Sequence, residues 1–191
     1  MEFFFVQDHK QKYRFFTAEP IHQIQVEFSR LKKIWELAKQ KLMLLPKRTL
    51  VQEQAFEAII NLKERTHILY SGSLSEKKIK KKFHFFLQKQ RTKHIALLIG
   101  EAILLPISGL MALLPGPNVF FGVLALIMYT HWQSLRGINR FSKLQCTFKS
   151  SSLFQEWEKA LLSEKDEDII QALDKIQSEF NLRNIHKILW K

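Results

Sequence analysis

Residues 95–114 read IALLIGEAILLPISGLMALL, twenty residues with a single charged side chain, Glu101. At about 1.5 Å per residue a helix of this length reaches roughly 30 Å, the thickness of a bilayer's hydrocarbon core. Pro115, Gly116, Pro117 and Asn118 follow. Both prolines lack a backbone donor and Gly and Asn tolerate turn geometry, so the helix is expected to break there. Val119 to Tyr129 resumes an apolar helical pattern that ends at His131 and Trp132. The reading is a central hydrophobic helical hairpin. Its second arm, about 21 Å to Trp132 by the same rise, is short for a full crossing and needs tilt or local thinning of a bilayer.

Working outward, the charge distribution gives the hairpin a context. Of the chain's net charge of +12, residues 1–94 carry +11, while residues 95–132 contain no Lys or Arg. A helix opening at Ser75 and Glu76 carries Lys77, Lys78, Lys80, Lys81, Lys82, Lys89, Arg91 and Lys93, with no further acid before Glu101. Its other face is Ile79, Phe83, Phe86 and Leu87. Arg136, Arg140 and Lys143 follow the hairpin. Basic flanks at both ends and none at the turn place both flanks on the cytoplasmic or matrix side of a membrane. Lys80, Lys81, Lys82, Lys89, Arg91, Lys93, Arg136 and Arg140 are the expected contacts to anionic lipid, since a lysine near such a surface gains about 1 kcal/mol. The plain alternatives are a solvated basic face and a hairpin buried in a soluble helical bundle. Nucleic acid is disfavoured, because no interleaved stacking motif or binding module accompanies the basic run.

Two residues in the hairpin carry chemistry. Glu101 inside an apolar span is costly, which makes it a candidate proton or cation site. The bland reading, favoured by its place six residues past Ile95, is pairing with a neighbouring Lys or Arg near the interface. His131 is the second candidate, because histidine ordinarily changes charge between pH 5 and 8. Tyr129 and Trp132 suit an interfacial anchor.

The flanking segments are amphipathic. Phe3–Val6 and Arg14–Thr17 read as a small β-hairpin, and His67–Tyr70 as a third strand. Pro20 opens a helix with an apolar stripe from Ile21 to Leu45, and a second helix runs from about Thr49 to Arg65 with Val51, Ala55, Ile59 and Leu62 on one face. Beyond the hairpin, Phe148–Leu162 and Asp166–Phe180 read as helices, the latter with Ile169, Leu173, Ile176 and Phe180 on one stripe, and a short helix closes the chain after Arg183. The expected fold class is mainly α with a small N-terminal β element, α+β. Three regions are expected: residues 1–94, a membrane-inserted hairpin over 95–132, and amphipathic helices over 133–191.

Enzyme chemistry finds no support. The single cysteine, Cys146, allows no intrachain disulfide and no cysteine-based zinc cluster. Neither a Gly-rich phosphate loop, nor HExxH, nor G-x-S-x-G occurs. No catalytic residue, metal or cofactor is expected. The start, with Glu2, Asp8 and only four consecutive apolar residues, has neither a secretory pattern nor a transit-peptide pattern.

The stretch from Arg91 to Gly137 resembles the mitochondrial K+/H+ exchange-related family. The resemblance rests on Leu114-Pro115-x-Pro117-Asn118-x-Phe120-Phe121 and on Tyr129-x-His131-Trp132-x-x-Leu135-x-Gly137. Thr130 stands where the family has Ser, and Gln133 where a basic residue is common. The resemblance implies a part in, or regulation of, potassium/proton exchange across a bacterial or mitochondrial inner membrane. One hairpin encloses no polar pathway, so transport would require a homo-oligomer or a partner carrier. A monotopic protein that binds anionic lipid and a soluble basic helical protein are the alternatives.

Overall fold

A computed structural model describes residues 1–18, 47–60, 62, 65–110, 119–163, 165–182 and 185–190. The helix expected after Pro20 and the turn at Pro115, Gly116, Pro117 and Asn118 lie outside them. Four strands form one sheet: β1 (Glu2–Gln7), β2 (Tyr13–Thr17), β3 (Thr66–Ser71) and β4 (Cys146–Ser151), in the order β2-β1-β3-β4. β1 pairs antiparallel with β2, while β1 with β3 and β3 with β4 are parallel. The helices are α1 (Lys47–Ile60), α2 (Glu76–Leu110), α3 (Val119–Phe141), α4 (Ser152–Ser163), α5 (Asp166–Phe180) and α6 (Ile185–Leu189).

β1 explains why a short sheet holds this much helix. Phe3, Phe4, Phe5 and Val6 are all fully buried. Successive side chains of a strand point to opposite faces, so a strand apolar at every position needs cover on both. Phe3 and Phe5, with Phe15, Ile68 and Tyr70, pack under Phe56 and Ile59 of α1, Phe83 and Phe86 of α2, and Ile138 and Phe141 of α3. Phe4 and Val6, with Phe16 and Leu69, pack under Phe154 and Trp157 of α4, Ile169, Leu173 and Ile176 of α5, and Ile185 and Leu189 of α6. Trp157 Nε1 donates to the Gln7 carbonyl at 2.8 Å, satisfying its polar edge inside the core. Phe180, the fourth residue of the expected α5 stripe, packs at the margin of this second core.

The β1–β2 turn is held by Asp8, which accepts from the Lys10 and Lys12 amides at 2.9 Å each and pairs with Arg14 at 2.7 Å. Burial pushes this carboxyl up, and the Lys12 amide and Arg14 outweigh that and hold it below the usual carboxylate range.

Two features depart from the sequence reading. β4 occupies residues read there as the start of a helix, and α4 begins only at Ser152. As an edge strand it is only half buried and presents Lys149 outward, so its pattern is weak. The second departure is the hairpin. Among the described residues no helix is long and apolar enough to cross a membrane, so a spanning hairpin is not supported. The physical reason is its inner face. α2 and α3 turn Glu101, Thr130, His131 and Ser134 inward, where they are buried, and leave Ile99, Ile103, Leu104, Ile107, Tyr129 and Trp132 exposed.

Candidate functional site: a buried acid and histidine cluster

The inner faces of α2 and α3 change character along their length. On α3, His131, Ser134, Ile138 and Phe141 recur at helical spacing and are all buried, polar at one end and apolar at the other. On α2 the buried series runs Ile79, Phe83, Phe86 and Leu87 near the sheet, then His94 and Glu101. His94 and Glu101 stand seven residues apart, which is two turns and one face. α1 closes the third side with Gln52 and Glu53, both buried.

At the centre is His131. Its Nδ1 lies 2.6 Å from Glu101 Oε1, and its Nε2 lies 3.9 Å from Glu53 Oε1. An ionised carboxylate only accepts, so a charged Glu101 requires the proton on Nδ1. One imidazole thus stands between carboxylates supplied by two other helices. His94 packs beside it, with ring centroids 5.3 Å apart, and among the described residues His94 Nδ1 and Glu101 Oε2 find no hydrogen-bond partner. Burial, then the neighbouring His131 and Lys93, push His94 down to about 4.

Close approach of α1 and α3 makes this geometry possible. Gly137 faces the backbone of Phe56, where any Cβ would lie 1.9 Å from the carbonyl oxygen. Arg140 Nη2 donates to the Leu62 carbonyl at 2.8 Å, tying α3 to the chain beyond α1. These contacts hold Glu53 within reach of His131.

The structure therefore brings the two sequence candidates, Glu101 and His131, together. The partner of Glu101 is His131 rather than a Lys or Arg. Tyr129 and Trp132 lie on the exposed side of α3, with Gln133 Nε2 donating to the Tyr129 hydroxyl at 2.8 Å. The expected lipid-contacting residues divide. Lys80 pairs with Glu76 at 2.6 Å, Arg136 donates to Gln133, and Arg140 is engaged as above. Lys81, Lys82, Lys89 and Lys93 line a groove instead. Glu53 and His94 were missed. Glu53 sits on what reads as the polar face of α1, and His94 closes the basic run. The available signal was the seven-residue spacing of His94 and Glu101. Among the described residues no cluster of His, Cys, Asp or Glu is arranged to hold a metal ion. Burial pushes the Cys146 thiol up to about 11, which makes it a poor nucleophile at neutral pH.

Residues 7–145 match the family model described as mitochondrial K+-H+ exchange-related. The chain belongs to this family. The match to the exchange-related family spans β2, α1, β3, α2 and α3, and with them the whole cluster and Gly137; α4, α5 and α6 lie beyond it. No curated protein and no solved structure matches the chain.

The depressed His94 sets one pH dependence. Its folded value, about 4, lies below the ordinary 6.5, so between these values the unfolded chain binds the extra proton and stability falls as pH is lowered. At pH 5 the loss attributable to His94 is expected to be about 2 kcal/mol relative to pH 8. Urea unfolding of the wild type and of His94→Gln across this range checks it, the variant showing the shallower acid-side decline. Parallel curves would be incompatible with a His94 held neutral.

Proposed function

We propose that the protein takes part in, or regulates, potassium/proton exchange at a membrane, with the Glu53, His131 and Glu101 cluster as the group that takes up and releases the proton. The observation that carries this reading is the single buried imidazole between two carboxylates from different helices. Adding or removing one proton there changes the balance of charge between α1, α2 and α3, and so biases how tightly the hairpin is held. Membership of an exchange-related family supports the choice of ions. The hairpin supports the location, because at the level of Glu101, Thr130 and His131 it is polar inside, while Ile99, Ile103, Leu104 and Ile107 are exposed, which suits a lipid-facing surface. In this reading the hairpin anchors in a bilayer without crossing it, and potassium passes through a partner carrier or an oligomer.

Sealed membrane vesicles from cells expressing the protein, loaded with a pH-sensitive dye and given a potassium pulse, test the proposal. Proton movement is expected to exceed that of vesicles from non-expressing cells and to fall several-fold with Glu101→Gln or His131→Gln. Equal rates with and without the protein would sink the exchange role, and full activity in both variants would remove the cluster from it.

A further inference from the structure

A groove of about 600 Å³ runs between the β1–β2 turn and α2, lined by Lys12, Tyr13, Arg14, Lys81, Lys82, Lys89 and Lys93 with Phe85 and Phe86. Among the described residues, six of those lining it are basic and none is acidic. Arg14 is engaged by Asp8, and Lys82 Nζ donates to the Tyr13 hydroxyl at 3.3 Å while lying over its ring. Among the described residues no ion pair engages Lys81, Lys89 or Lys93. Glu76 lies on the same helix, yet it pairs with Lys80, which does not line the groove. The floor is aromatic, and Phe85 stands 67% exposed between lysines one turn to either side. Phe85 thus gives the groove an apolar surface beside its cations.

The same stripe of α2 continues beyond the groove with the opposite character. Eighteen residues make five helical turns, so Ile103 lies directly over Phe85, and Ile107 over Lys89, along the helix axis. Ile103 is 63% exposed and Ile107 55% exposed. One face of one helix thus offers cations and an aromatic floor, then an apolar strip. From Lys93 to Ile103 is about 15 Å at helical rise, roughly the depth of one leaflet's hydrocarbon.

We infer that this face seats an anionic phospholipid of a single leaflet, its phosphate held by Lys89 and Lys93 over Phe85 and its acyl chains lying against Gly100, Ile103 and Ile107. Lysine binds phosphate as a point charge, and each one near an anionic surface adds substantially to the hold. The inference rests on the membrane location proposed above, though not on proton exchange.

Co-flotation of the full chain with phosphatidylcholine vesicles, with and without phosphatidylglycerol, tests it. Lys89→Gln/Lys93→Gln, at exposed positions that leave the core untouched, is expected to lower partition onto the anionic vesicles about ten-fold or more. Lys77→Gln/Lys80→Gln removes the same charge from the helix's other side and is expected to change it less than about two-fold, because that side lacks the seat. Ile103→Ser/Ile107→Ser is expected to weaken flotation while leaving thermal stability unchanged. Equal losses from the two lysine pairs would reduce the groove to diffuse charge and overturn the proposal. Glycerol 3-phosphate that abolished flotation in proportion to its occupancy would reassign the groove to a soluble phosphate ester. Equal flotation with neutral and anionic vesicles would overturn the lipid seat and leave the membrane location standing, and no flotation with either would overturn both.

Discussion

Replacing Gly137 by alanine is expected to destabilise the protein by about 3 kcal/mol, the upper end for forcing extra volume into a packed interior. A Cβ at this position would stand 1.9 Å from the Phe56 carbonyl oxygen and 2.6 Å from its carbon. Both are backbone atoms in α1, so no side chain can swing aside, and the two helices must part by more than 1 Å to restore contact distances. Parting them lifts Ile138 and Phe141 from the aromatic core around Phe15 and Phe83 and carries His131 away from Glu53. For a chain of this size the midpoint should fall by about 6–12 °C. Gly100 supplies the control. It lies mid-helix in α2, and among the described residues nothing beyond its own stretch of helix comes within 4 Å of a built Cβ, so Gly100→Ala is expected to stabilise by about 0.5–1 kcal/mol through lost unfolded-state freedom alone. Thermal melts of the two variants should therefore move in opposite directions. A Gly137→Ala protein as stable as the wild type is incompatible with the α1–α3 approach that assembles the cluster.

That approach was only half visible in the sequence. β1 and β2 follow from aromatic runs whose neighbours are polar, β3 from the short run His67–Tyr70 ended by Ser71, Gly72 and Ser73, and the buried stripes Ile79, Phe83, Phe86 and Ile169, Leu173, Ile176 from helical spacing. β4 escapes because an edge strand buries little, and its alternation is confined to Cys146 and Phe148 against Thr147 and Lys149 before Ser150 and Ser151 end it. The hairpin arms are equally plain from their apolarity, but hydropathy counts residues without assigning them to a side. Ile99, Ile103 and Ile107 raise the count as exposed residues, whereas Glu101 and His131, which lower it, are the ones inside. Each of the two stands out alone. Their pairing across thirty positions depends on the register of α2 against α3, which no local pattern encodes. Glu53 is further hidden, since its burial arises from a third helix covering a face that reads as solvated.

Exchanging His131 for leucine is expected to be the most damaging change within the cluster, at about 3–5 kcal/mol. It leaves the buried Glu101 carboxylate without the imidazole that its Oε1 meets at 2.6 Å, and an uncompensated buried charge costs far more than an intact pair contributes. Glu101→Leu removes one acceptor but leaves His131 facing Glu53, so its cost should be smaller. Combining both changes removes the charge together with its partner, and the double variant is expected to be more stable than His131→Leu alone. The coupling between the sites should reach about 2 kcal/mol, toward the upper part of the range for residues in direct contact. Urea unfolding of the four proteins at neutral pH gives the penalties and the coupling. Strict additivity would show that the imidazole and the Glu101 carboxylate do not interact. A cluster whose members share one proton must fail additivity, since the charge of one member then depends on the others.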